Sequence, residues 1–192
     1  MPDSWNQLRA ECINCRKCGL DQGRTNVVFG IGDEKSKVML VGEGPGEKED
    51  LSGEPFVGPA GQLLDKYLEA IGLDRSRVYI ANMVKCRPPF NRDPSQSEMD
   101  SCIEYLRRQT RLIQPEIIVC LGRISACRMI SPEFKVTREH GKWFRKGSFW
   151  MMGTFHPAAL LRNPAQKPDA FLDFISLRSK MREIGVWNGD DV

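Results

Sequence analysis

Four short apolar runs punctuate the chain: Val38–Val41, Val78–Ala81, Ile117–Leu121 and Phe149–Met152. Their length and unbroken apolar character predict strands buried on both faces. Between them the period lengthens. Leu63, Leu64, Tyr67, Leu68 and Ile71 share one face of a helix, and Met99, Cys102, Ile103 and Leu106 share one face of another. Ser95 and Glu98 stand at the spacing of a capping box before that second helix. Phe171, Phe174 and Ile175 mark a C-terminal helix. Alternating strand and helix predicts an α/β fold with a parallel sheet covered on both faces. In such sheets ligands bind beyond the carboxyl ends of the strands. Three segments fall there: residues 42–46, 82–87 and 153–157.

The first of these is Gly42-Glu43-Gly44-Pro45-Gly46, followed by Gly53-Glu54-Pro55-Phe56-Val57-Gly58. Glycines after a strand let backbone approach a ligand closely. The stretch is neither Gly-x-Gly-x-x-Gly nor a P-loop, because no Gly-Lys-Ser/Thr follows. Composition adds limits. The chain has 192 residues, 28% charged and 41% hydrophobic, with a formal net charge of +3. That suits one domain spanning 1–192, with 1–11 and 186–192 peripheral and residues 188–192 a frayed tail. No apolar run approaches the roughly 20 residues of a membrane helix. The first residues lack a basic-then-apolar export pattern, so a cytoplasmic location and no membrane partner are expected. The mild charge permits nucleic-acid binding without demanding it.

Seven cysteines without an export signal argue against a disulfide framework. Cys15 and Cys18 form a C-x-x-C loop that also holds Cys12; Cys86 follows the second strand and Cys102 lies on the next helix. Thiolates from a loop and from structured elements can enclose zinc or an iron–sulfur cluster. Cys12 is a spare ligand candidate. Cys120 and Cys127 are expected to be packing residues.

Several ordered segments together resemble the family-four, iron–sulfur type of uracil-DNA glycosylase. They are Cys15-x-x-Cys18, Arg24-Thr25-Asn26-Val27-Val28, Gly42-Glu43-Gly44-Pro45-Gly46-Glu47, Pro55-Phe56-Val57-Gly58, Asn82-Met83-Val84-Lys85-Cys86-Arg87-Pro88-Pro89 and Thr154-Phe155-His156-Pro157. The resemblance extends from Cys15 to about Met181. It implies a three-layer α/β/α sandwich with a central four-stranded parallel sheet. It also implies a 4Fe-4S cluster on Cys15, Cys18, Cys86 and Cys102, and uracil-containing DNA, single- or double-stranded, as partner of a monomeric enzyme.

The residue chemistry agrees. A glycosylase must lift its base out of the stack, and the pocket must recover that energy. Phe56 offers a stacking face. Asn82 offers an amide to pair with uracil O4 and N3–H, where cytosine presents the opposite pattern. Gly42, Glu43 and Gly44 contribute backbone groups. The superfamily's His-Pro histidine donates to uracil O2 as charge develops, which assigns that role to His156. Some relatives carry an aspartate in the first loop; here Glu43 stands at that point. Glu47 is the second carboxylate, as a base or as a wall against thymine's methyl. His140 is expected in a solvated loop. Leu161 is a candidate wedge, and Arg87, Arg162, Lys85 and Arg92 are candidate phosphate contacts. Two rivals remain: a uracil-DNA-binding relative without turnover, and a nucleotide- or flavin-binding electron carrier. The first is disfavoured because residues 85–92 hold no histidine. The second leaves Asn82 and the His-Pro segment without a use.

Overall fold

The computed structural model describes residues 4–190. All four apolar runs are strands, within a sheet of six: β1 (Ile31–Gly32), β2 (Val38–Gly42), β3 (Tyr79–Asn82), β4 (Ile117–Leu121), β5 (Trp143–Lys146) and β6 (Phe149–Thr154). The order is β1-β3-β2-β4-β6-β5. The four inner strands are parallel, as expected, and β1 and β5 add antiparallel edges. The expected four-stranded sheet is therefore the centre of a wider one. The added strands are edges: β1 is two residues long, and β5 ends in exposed Arg145 and Lys146, so neither makes an apolar run.

Among the described residues, eight α-helices accompany the sheet: α1 (Trp5–Ile13), α2 (Glu47–Ser52), α3 (Pro59–Ala70), α4 (Gln96–Ile113), α5 (Arg123–Met129), α6 (Val136–Glu139), α7 (Pro157–Arg162) and α8 (Lys167–Glu183). The predicted capping box opens α4: Ser95 Oγ accepts from Glu98 N at 3.3 Å, and Glu98 accepts from Ser95 N at 2.7 Å. Proline at the first position starts α3, where its missing N–H is no loss. Successive residues of β2 point to opposite layers. Val38 and Leu40 pack with Leu64 and Leu68 of α3 and Phe174 and Leu177 of α8. Met39 and Val41 pack with Leu106 and Ile113 of α4 and Ala126 of α5. Both faces are covered, which is why the strands read as continuous apolar runs.

Two expectations about the ends are corrected. α1 is not peripheral: Leu8 and Cys12 are buried, and Trp5 meets Phe29 and Tyr79 edge-on at 5.4 Å. Nor is the C-terminal stretch frayed up to residue 190. Val186 and Trp187 pack against the core, Asp190 N donates to Gly72 O at 2.9 Å, and Arg77 Nη2 meets the Asp190 carboxylate at 3.0 Å. Residues 1–3 and 191–192 of those stretches lie outside the described residues. In the strand order, the chain leaves β2 for β3 on one side and returns across β2 to β4 on the other. That reversal opens a crevice at the carboxyl edge.

Candidate active site

A cleft of about 490 Å³ occupies that edge, within the range of small-ligand sites. Its walls come from the ends of β2, β3, β4 and β6: Glu43, Asn82, Gly122 and His156 all line it, together with Phe56. Phe56 reaches the cleft on a strained backbone, with φ of +56°. Such a conformation in a non-glycine residue persists only where its surroundings enforce it. Here they do. Arg75 donates to Pro55 O at 3.1 Å and to Phe56 O, and Asp65 holds Arg75 at 2.6 Å. The Glu49 carboxylate accepts from Val57 N and Gly58 N at 3.0 Å each, and from Gly46 N at 3.2 Å. Glu49 thus ties the two glycine-rich segments into one unit. Gly61 is required beneath: a Cβ there would stand 1.6 Å from Phe56 O.

Asn82 ends β3 directly beside Gly42 of β2. A Cβ on Gly42 would lie 2.4 Å from Asn82 Oδ1 and 2.7 Å from Phe56 Cζ, so only glycine admits both side chains. Asn82 is 2% exposed, and no donor reaches its Oδ1. A buried acceptor without a partner is costly in a folded protein.

His156 stands between β6 and α7. Its Nδ1 accepts from Ala158 N at 3.1 Å, which places the proton of the neutral ring on Nε2. Burial, and then the nearby Arg162 guanidinium, press its pKa down to about 4. The imidazole is therefore a neutral donor at physiological pH. Its ring lies 5.6 Å from that of Phe56 and nearly parallel, too close to admit a flat base between them. Gly122, at φ +95°, makes room: a Cβ there would stand 2.8 Å from His156 Cβ.

Glu43 is half-buried in the cleft. Burial raises its pKa to about 7, helped by the Asp93 carboxylate, which repels its charge and shares a hydrogen bond with it. Arg123 in turn holds Asp93 at 2.5 Å. Asp93, Arg123, Glu49 and Gly122 were not singled out from the sequence. Gly122-Arg123 follows β4, so the carboxyl-edge rule that located the other loops points to it as well.

Other expectations shift. Glu47 is exposed, faces Arg87 at 3.7 Å and does not line the cleft. His140 is no solvated loop residue: its Nδ1 lies 3.0 Å from Asp173 Oδ1, and Asp173 also accepts from Thr154 at 2.5 Å, bracing the end of β6. Lys85 is 1% exposed; its ammonium donates to Gln109 Oε1 at 2.7 Å, so it meets no phosphate. Arg162 and Arg92 do line the cleft, and Leu161 is 41% exposed beside buried Leu160. Arg87 Nε donates to Asn91 Oδ1 at 2.8 Å.

Behind β3, Cys12, Cys86 and Cys102 are buried in a cluster that Cys15 and Cys18 pack against. Arg24 Nη1 donates to Cys86 Sγ at 3.2 Å, and Lys85 N donates to Cys102 Sγ at 3.3 Å. Burial pushes the Cys12 thiol up to about 12 and that of Cys102 to about 11. Among the described residues, no group of three or more His, Cys, Asp or Glu is drawn around one point as a single metal ion requires. Cys120 is fully buried in β4, and Cys127 bonds Phe134 O at 3.3 Å.

These elements define a member of a known enzyme class: residues 29–176 match the profile of the uracil DNA glycosylase superfamily, and the chain belongs to that superfamily. Within it, the chain is 44% identical over 182 residues to a type-4 uracil-DNA glycosylase of Archaeoglobus fulgidus, covering 90% of each chain. It is also 44% identical over 193 residues to a type-4 uracil-DNA glycosylase of Sulfurisphaera tokodaii, covering 96% of this chain and 86% of that one. A type-5 uracil-DNA glycosylase of Pyrobaculum aerophilum is 31% identical over 146 residues, with 67% of this chain and 64% of that one covered.

Proposed function

We propose that this protein removes uracil from DNA by hydrolysing its N-glycosidic bond, leaving an abasic site. The observation that carries the reading is the orphaned Asn82 Oδ1, buried in a cleft that a held aromatic ring and a neutral histidine donor also line. Uracil N3–H supplies the missing donor, and the amide N–H₂ answers O4. Phe56 stacks on the extruded base. As the C1′–N1 bond breaks, its electron pair passes into the uracil ring and charge gathers at O2, where His156 Nε2–H donates. Water adds to C1′ and yields a proton to Glu43. At the mouth, Leu161 fills the gap left by the base, and Arg162 and Arg87 face the phosphates. The test is a single-stranded oligonucleotide bearing one uracil, incubated with the protein and heated in alkali. Strand scission at the uracil over several turnovers is expected. Intact strands, or a single stoichiometric capture, would refute turnover.

Glu43 as base makes a pH prediction. Its pKa of about 7 places the ascending limb of the single-turnover rate near neutrality, with the active carboxylate above it. Asp93→Asn removes the repelling charge, so the limb moves to lower pH while burial keeps part of the elevation. A limb that stays in place in this variant takes Asp93 out of the pair.

What supports a thiolate-bound group is that cysteines from three segments share one packed cluster, with N–H donors directed at two of them. Cys15, Cys18, Cys86 and Cys102 are the ligands we assign to a 4Fe-4S cluster, with Cys12 the spare. When bound, such a cluster cross-links the segments and adds to folding free energy. Cys102→Ser is expected to lower iron content, visible absorbance and the unfolding midpoint together. One equivalent of zinc and no iron in protein prepared without oxygen would overturn the assignment.

A further inference from the structure

Between β3 and α4 the chain forms the turn Pro88-Pro89-Phe90-Asn91-Arg92, and Phe90 at its tip is 98% exposed. It is the most exposed of the large apolar side chains among the described residues. Its backbone has φ of +56°, and Asn91 follows at +55°. Two consecutive non-glycine residues in the left-handed region are disfavoured unless the ends of the turn hold them. They are held. Arg87 Nε bonds Asn91 Oδ1 at 2.8 Å across the turn. Arg92 pairs with Glu98 at 2.6 Å, anchoring the exit to the first turn of α4. Two prolines stiffen the entry. The turn is built so that the ring stands off the surface rather than folding onto it.

Its position gives that ring a use. Pro88, Asn91 and Arg92 all line the cleft that holds Phe56, Asn82 and His156, so Phe90 stands on its rim. Arg87 and Arg92 bracket it in the chain, Arg87 facing Glu47 at 3.7 Å and Arg92 paired with Glu98. An exposed aromatic ring on the rim of a base-accepting cleft lined by Arg92 and Arg162 is the arrangement that binds single-stranded nucleic acid, base on ring and phosphate on cation. α7 with Leu161 lines the same cleft through Ala158, Ala159 and Arg162. We infer that Phe90 stacks on an unpaired base next to the extruded uracil, giving the enzyme a second aromatic platform outside the catalytic pocket. This rests on the uracil-DNA glycosylase reading.

The experiment compares wild type with Phe90→Ala, Phe90→Gly and Phe90→Tyr. The probe is single-stranded DNA with 2-aminopurine beside the uracil. Base–aromatic stacking corresponds to about 5–150-fold in affinity. Phe90→Ala and Phe90→Gly are expected to weaken binding by that factor and raise KM, with the saturated single-turnover rate unchanged. Phe90→Tyr restores affinity, and quenching of 2-aminopurine on binding is lost in the first two variants only. Glycine tolerates the left-handed backbone, so Phe90→Gly keeps the unfolding midpoint at or above the wild-type value while losing affinity. A purely structural Phe90 would not separate those two readouts. Unchanged affinity and quenching in Phe90→Ala, alongside a wild type that releases uracil, overturns the platform alone. A wild type that releases no uracil sinks the glycosylase reading instead.

Discussion

His156→Ala lowers the single-turnover rate of uracil release by about 10²–10³ while DNA affinity changes little. This is the scale on which loss of one oxyanion donor acts, about 2.7–4 kcal/mol in barrier height. The asymmetry follows from where the charge appears. In the bound substrate, uracil O2 is an ordinary carbonyl acceptor; only as the glycosidic bond breaks does it carry charge, so the donor matters most in the transition state. The structure makes His156 suited to this in a neutral form. Ala158 N occupies Nδ1, and a pKa near 4 keeps the ring uncharged while Nε2–H points the other way. The low pKa has a stability consequence. The unfolded histidine takes up its proton near pH 6.5, the folded one only near pH 4, so stability falls as pH drops through that window. Single-turnover kinetics with saturating enzyme isolate the chemical step, and a separate titration reports affinity. A normal cleavage rate in His156→Ala would sink the assignment. Rate and affinity lost in equal proportion would mark His156 as structural, with catalysis left to Glu43 and the Gly42–Gly46 backbone.

Much of this site was legible because it lies where apolar runs end. The runs beginning at Val38, Val78, Ile117 and Phe149 located the sheet's carboxyl edge, and Phe56, Asn82 and His156 do come together there. What escaped reading depends on contacts between distant segments. Asp93 perturbs Glu43 although some 50 positions separate them, and Arg123 reaches back to Asp93 from a third loop. No local pattern announces such a relay. Glu49 reads like any helix acid, yet its carboxylate gathers three N–H groups from two loops. Lys85 shows the opposite failure. Its neighbours Arg87 and Arg92 are at the surface, but the side chain turns inward toward Gln109 of α4, which sequence proximity to basic residues cannot reveal. The edge strands escaped because a short or polar edge carries no apolar signal.

Asn82→Ala is expected to reduce kcat/KM for uracil by roughly 30-fold to 10⁴-fold. The range follows from two lost hydrogen bonds in a buried site at about 1–3 kcal/mol each. The loss falls on the wild-type pairing of Oδ1 with N3–H and of the amide N–H₂ with O4. Asn82→Asp probes the same geometry with inverted polarity. An ionised carboxyl there repels O4 and removes uracil activity. Yet Asn82 is only 2% exposed, and a carboxyl at such a depth is pushed toward its protonated form. Protonated, it presents a carbonyl acceptor and an O–H donor, matching cytosine's N4 amino group and N3. Weak cytosine release, rising as pH falls, is therefore expected from Asn82→Asp and not from Asn82→Ala. Gly42 keeps this geometry open, since a Cβ at that position would meet both the Asn82 amide and the Phe56 ring. The measurement is base release from matched uracil- and cytosine-bearing strands across a pH series. Uracil release that survives Asn82→Ala unchanged would remove the amide from base recognition and leave its buried acceptor to some other donor.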